Sequence, residues 1–213
     1  MRIGVRRKEF DLRPFLEPGE RILDVDIGRT VAAVYALALA ISSKGFEAAV
    51  RVSMEGVETD QPGPGLVTAI TEHLSRSITG LKADLFRKAV QESILDAAGV
   101  GYDLHKLNIK VGLESYLRKR SADQFLALFL SRYVSNAVWL RIQDPLREKT
   151  GSRSLRKFSV SLERFCALIV GSVVEEWRTE GKLKQLAAKK SLGNALIETI
   201  ETRLKFDVAN HMK

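Results

Sequence analysis

Residues 121–143 read SADQFLALFLSRYVSNAVWLRIQ, with Asp144-Pro145 behind them. Ser121 followed three residues later by Gln124 is a capping-box pattern, in which each side chain satisfies the other residue's orphan backbone N–H. Pro145 disfavours helical geometry at Asp144, which predicts a helix ending there. Between these marks Leu126, Phe129, Leu130, Tyr133, Val134, Ala137, Val138 and Leu140 cover more than half the circumference at a 3.6-residue period. The thinner polar stripe of Gln124, Ser131, Arg132, Ser135 and Gln143 is interrupted by Leu128, Trp139 and Ile142. A helix this apolar belongs inside a bundle.

Downstream, Leu155, Phe158, Leu162, Phe165, Ile169, Val173 and Trp177 recur at spacings of three and four, predicting a second helix of similar length. The polar connector 146–154 between them is short, so the two should pack antiparallel. Gly181 closes the second helix, residues 182–190 are basic and helix-compatible, and Ser191 is placed to cap a last helix carrying Leu196, Ile197, Ile200 and Leu204.

Upstream, the first twenty residues read as a short strand or arm, with Arg6-Arg7-Lys8, and then a turn at Pro14 and Pro18-Gly19. Arg21–Ile27 alternates Ile22, Asp24 and Asp26 with Leu23, Val25 and Ile27, as a strand does. Thr30–Ser43 is a helix ended by Gly45, and Phe46–Val57 alternates again. A strand–helix–strand unit of this length predicts a right-handed parallel crossover. Gln61–Gly65 reads as a loop, followed by helices at 66–78 and 82–98, the latter terminated by Gly99; 103–112 fits a third strand or a helix start, and 113–120 is helical. The expected fold is α+β, mainly α. A small N-terminal α/β unit over residues 1–60 docks on a basic helical bundle over 61–213, within one compact domain.

At 213 residues with 45% hydrophobic and 28% charged content, the chain suits a globular core and excludes a fully disordered one. The longest apolar run, 31–41, is too short for a membrane span, and the acids before it are wrong for a signal peptide. Together with a single cysteine, Cys166, this predicts a cytoplasmic protein without disulfides. Charge is uneven: residues 1–100 hold 13 Lys and Arg against 14 Asp and Glu, whereas 101–213 hold 21 against 12. Such asymmetry points to a polyanionic partner.

The segment Leu23–Thr30, LDVDIGRT, carries the most chemistry in the N-terminal half. Asp26, Ile27, Gly28 and Thr30 resemble the first phosphate loop of actin-like and sugar-kinase-like ATPases, which implies a turn beneath nucleotide phosphates. The resemblance spans about eight residues. That family continues into a hairpin strand where a helix is predicted here, and no second phosphate loop follows. The plainer reading, and the one preferred, is a strand-to-helix turn with Gly28 supplying the bend and Thr30 near the helix start. Asp24 and Asp26 also share a strand face, and with Glu55, Glu58 and Asp60 at the end of the next predicted strand they form a candidate Mg²⁺ site. His73, His105 and His211 are isolated, and Cys166 lies among apolar residues as a core filler.

The remaining signal is basic: Arg118, Lys119 and Arg120; Arg147, Lys149, Arg153, Arg156 and Lys157; and Lys182, Lys184, Lys189 and Lys190. Antiparallel pairing of the long helices would gather them into two layers suited to phosphate contact without base readout. The function ranked first is therefore a non-catalytic nucleic-acid-binding or nucleoprotein-complex subunit without a cofactor. Second is a helical protein–protein adaptor or homo-oligomer, favoured by Trp139 within the polar stripe. Third is a metal-dependent nuclease using Asp24, Asp26 and Glu55.

Overall fold

From Val25 onward the described residues form helix after helix. The structure is a computed structural model. It describes residues 20–99, 108–149, 152–189 and 191–210, without the side chains at 25, 149, 152–154 and 206–210. A 3-10 turn at Val25–Ile27 leads into α1 (Gly28–Lys44), α2 (Phe46–Ser53), α3 (Gly63–Ser75), α4 (Leu81–Ala98) and α5 (Ile109–Arg120). Then come α6 (Ala122–Lys149), α7 (Ser152–Thr179), α8 (Lys182–Leu186) and α9 (Ser191–Asn210).

No strand occurs among the described residues, so the expected α+β fold with an N-terminal strand–helix–strand unit is corrected to an all-helical one. The reason lies in which residues are buried. In α2 these are Phe46, Ala49 and Val50, with Met54 next, at helical spacing, whereas Val52 is 74% exposed. Alternating β-branched residues imitated a strand while tertiary burial followed the 3.6 period. In 21–27 the neighbours Ile22 and Leu23 are both buried, which a half-exposed strand forbids. Residues 109–111 begin α5, capped by the Asn108 side chain accepting the Val111 N–H at 3.3 Å. The expected arm at 1–19 and residues 103–107 lie outside the described residues.

The helix expected at 121–143 is the centre of the bundle. Leu126, Phe129, Leu130, Val134, Val138 and Ile142 are completely buried, and α1, α4, α5 and α7 all pack on α6. Half of the capping box forms: Ser121 Oγ accepts the Gln124 N–H at 3.4 Å, while the Ser121 N–H goes to the Leu117 carbonyl. The helix does not stop at Asp144 but runs through Pro145 to Lys149. An interior proline costs about 3 kcal/mol, and burial of Ile142 before it and Leu146 after it offsets that cost. Leu128 and Trp139, which interrupt the polar stripe, are partly buried and pack against the core.

α6 and α7 form the most extensive helix pair in the fold. Arg132 in the middle of α6 donates to Glu163 of α7 at 3.0 Å, and Asp123 near the start of α6 acts on Arg178 near the end of α7. The pair is therefore antiparallel, as the short connector predicts. On α7 the buried line runs through Leu162, Cys166, Ile169, Val170, Val173, Val174 and Trp177, with Phe158 and Phe165 half-buried at its edge.

Glycine completes the bundle at a close crossing between the two ends of the described chain. The first residue of α1, Gly28, and Gly193 in α9 touch backbone to backbone. A Cβ on Gly193 would sit 1.9 Å from the Gly28 carbonyl oxygen, and one on Gly28 would sit 2.0 Å from Asn194 Oδ1. Gly28 is thus fixed by a helix–helix contact, not by the bend expected of it. Gly171 in α7 is the opposite case. Nothing lies within 4 Å of its missing Cβ, so it gives up about 0.5–1 kcal/mol of helix stability relative to alanine without any steric return from this chain.

Phe129→Ala should cost roughly 3–5 kcal/mol in equilibrium denaturation, the transfer term plus the cavity left behind. Phe165→Ala should cost less, because that ring is only half-buried. Arg132→Ala should cost more than an ordinary surface change, since its guanidinium also donates to Asp96 at 2.7 Å. Gly193→Ala should destabilise by about 1–3 kcal/mol, as forced overpacking does.

Candidate functional site

The aspartates singled out by sequence lie on the segment Glu20–Ile27, which crosses the bundle between the start of α4 and the second half of α6. A groove of about 670 Å³ opens there, lined among others by Arg21, Asp24, Asp26, Lys82, Tyr133 and Arg141. Most of its polar groups are held by one another. The buried Glu201 carboxylate of α9 accepts the Ile22 N–H at 3.0 Å. The Tyr133 hydroxyl oxygen accepts the Asp24 N–H. Arg141 donates to the Arg21 carbonyl at 2.6 Å and to the Glu20 carboxylate. Lys82 Nζ stands 3.2 Å from Asp24 and 3.8 Å from Asp26, and Asp24 Oδ1 accepts the Asp26 N–H at 2.9 Å. A chain segment without strand partners has its backbone donors satisfied by side chains, as a buried backbone must.

This arrangement gives the acids a structural task. Lys82 supplies a cation between Asp24 and Asp26. Glu55 lies in the turn after α2, and among the described residues no three His, Cys, Asp or Glu side chains converge as a metal site would require. The likeness to a phosphate loop also meets an obstacle. The space in front of Gly28, where a loop of that kind would cradle phosphate, holds Gly193 and Asn194 of α9. Tyr133 and Glu201 were not singled out by sequence. Glu201 was legible as an acid on the apolar face of α9, between Ile197, Ile200 and Leu204, whereas Lys82 and Arg141 carry no such signal.

The basic residues divide between the two ends of the α6–α7 hairpin. At one end Arg118, Lys119 and Arg120 form the last turn of α5, and Lys182, Lys184 and Lys189 lie on and after α8; all six are exposed. Arg118 pairs with Glu114 at 3.6 Å and Lys182 with Glu180 at 2.6 Å, the latter ammonium also lying 5.5 Å from the centre of the Trp177 ring. At the other end Arg147, Arg156 and Lys157 are exposed. The side chains of Lys149 and Arg153, and Lys190 altogether, lie outside the described residues, as do His105 and His211.

Cys166 is wholly buried on α7, and burial, reinforced by the charge of Glu163, pushes its thiol far up, so it is held protonated and unreactive. His73 is shifted downward, chiefly by burial and then by Arg76. It has no metal-ligand neighbours among the described residues.

Burial pushes the Tyr133 phenol up to about 12, with the charges of Asp24 and Glu201 adding and the Asp24 N–H opposing. A group raised in the folded state stabilises fully below its unfolded value, near 10, and that stability is lost as pH rises through the folded value. Denaturation midpoints should therefore fall between pH 10 and about 12, and Tyr133→Phe should flatten part of that fall. At neutral pH the same variant should cost about 1 kcal/mol, because the Asp24 N–H loses its acceptor. In comparisons with known proteins, the chain matches no family model, no curated protein sequence and no solved structure.

Proposed function

We propose that this chain is a non-catalytic subunit that binds nucleic acid through the phosphate backbone with little base preference. The observation supporting this reading is where unpaired cations gather. Along the body, Lys82, Arg132, Arg141, Arg203 and Lys205 each sit against a carboxylate, although Arg29, Lys44, Arg51, Arg76 and Arg164 are exposed there without an ion pair among the described residues. At the hairpin ends, Lys119, Arg120, Lys184 and Lys189, and opposite them Arg147, Arg156 and Lys157, are exposed and make no ion pair among the described residues. Cations already paired lose that pairing on moving to a phosphate, whereas unpaired exposed ones displace the counterions condensed on the nucleic acid and gain their release. The placement of Arg118–Arg120 on the last turn of α5 also complements that helix's dipole, a contribution of about 0.3–1 kcal/mol that leaves their charge available. A second reading, an assembly subunit, is favoured by Val160 and Leu168, which stand 42% and 65% exposed on α7.

Fluorescence anisotropy with labelled duplex and single-stranded DNA and RNA tests the first reading. Affinity should fall linearly on a log–log plot against salt, with similar values for unrelated sequences. Replacing Lys119, Arg120 and Lys184 together by Gln should reduce the salt slope by roughly one for each phosphate no longer neutralised, and should weaken every sequence alike. Absence of binding at low salt would remove the nucleic-acid reading.

A further inference from the structure

The outward face of α7 presents a short pattern that this chain uses only at one end, where Glu175 holds Arg178 of the same helix in an exposed pair at 2.5 Å. Arg164, Leu168, Gly171 and Glu175 follow one another at spacings of four, three and four, so they form one stripe about 16 Å long. Arg164, Leu168 and Glu175 are exposed, and Leu168 projects into solvent with 65% of its surface free. One turn on, Gly171 leaves a gap in the same stripe with nothing within 4 Å of its absent Cβ. Ala167 beside them is exposed and small, and Val160 extends the apolar surface by two turns. Glu163, the sole acid between Ser152 and Val174, is turned away to Arg132 of α6.

The stripe is symmetrical about its own midpoint. Leu168 and Gly171 flank that midpoint, and Arg164 and Glu175 lie four residues further out on either side. When two such helices pack antiparallel about a two-fold axis through the midpoint, the Leu168 side chain of each meets the Gly171 gap of the other. The same operation sets Arg164 opposite Glu175 twice, so that each glutamate would exchange or share its exposed pair with Arg178, an interaction worth little in water. A parallel pairing would instead place Leu168 on Leu168 and Arg164 on Arg164, leaving both gaps empty and like charges adjacent. Self-complementarity of this kind is what an isologous contact requires. We propose that the outer face of α7 is a self-association surface on which a second copy of this chain docks antiparallel, Leu168 into the Gly171 gap. The mid-helix glycine then has its reason: it admits the partner's leucine.

One helix face per subunit buries less than a standard interface, so the dimer is weak and concentration-dependent. Sedimentation velocity on the full chain from ~5 to ~500 μM should show a sedimentation coefficient rising with concentration. Leu168→Glu should remain monomeric throughout with an unchanged thermal melt, because the side chain is exposed. Gly171→Ala should raise the melting temperature of the dilute protein and weaken the dimer, two effects with opposite signs that a purely internal role for the glycine does not produce. Arg164→Glu alone should weaken association several-fold, and Glu175→Arg in the same chain should restore it, the signature of antiparallel pairing. A single monomeric species up to ~500 μM overturns the proposal, as does a dimer that survives Leu168→Glu. A double charge exchange weaker than the single one overturns the antiparallel arrangement. A chain that stays monomeric while Leu168→Glu abolishes binding to a different protein would give this face another occupant and overturn self-association.

Discussion

Everything in this fold depends on α6 being surrounded. Its side chains from Phe125 to Leu146 point into contacts with α1, α4, α5 and α7, and six of them have no exposed surface at all. With apolar groups on most of its circumference, the helix is a liability in water until all four neighbours are in place, and the hydrophobic stabilisation comes as one event. The same enclosure explains why Pro145 is tolerated, since the packing on either side of it outweighs one missing backbone hydrogen bond.

Where apolar contact runs out, charge takes over in two different ways. Between helices it sets registration. Arg132 bridges α4 and α7 through Asp96 and Glu163, Asn136 holds Glu92, and Arg203 of α9 meets Glu176 of α7. Half-buried bridges of this kind fix one helix against another more than they add stability, because desolvation offsets much of the Coulombic gain. At the ends of the hairpin the cations have no such duty, and there the positive charge of the C-terminal half faces solvent.

The helical part of this architecture was legible because its signals are local. Gly45, Gly99 and Gly181 end α1, α4 and α7 at positive φ, and the 3.6 period of the two long helices survives intact in the burial of Phe129, Leu162 and Val173. What misled was the short range. Over seven or eight residues, Val50, Val52 and Met54 obey a two-residue period as readily as Phe46, Ala49 and Val50 obey a helical one, and only the neighbours α1 and α5 decide between them. The polar groove was half legible. Asp24 and Asp26 stand out as acids in an apolar run, but their partners Lys82 and Tyr133, and the Glu201 that holds Ile22 beside them, come from three helices far away in sequence, and no spacing announces such a meeting.

The clamp on the segment before α1 ties the beginning of the described chain to its end. Ile22 gives its N–H to Glu201, 179 residues later, and Gly28 presses on Gly193. A chain made from its N-terminus cannot close these contacts until residues 193–201 have left the ribosome. Until then Ile22, Leu23 and Ile27 have no lid, and the core beneath them stays open to water and to other nascent chains. Closing so large a loop carries an entropy cost that grows slowly with length, but it must be met before any contact rewards it. α9 is therefore the helix that seats the start of α1, and a product truncated before it would leave α1 without that seat.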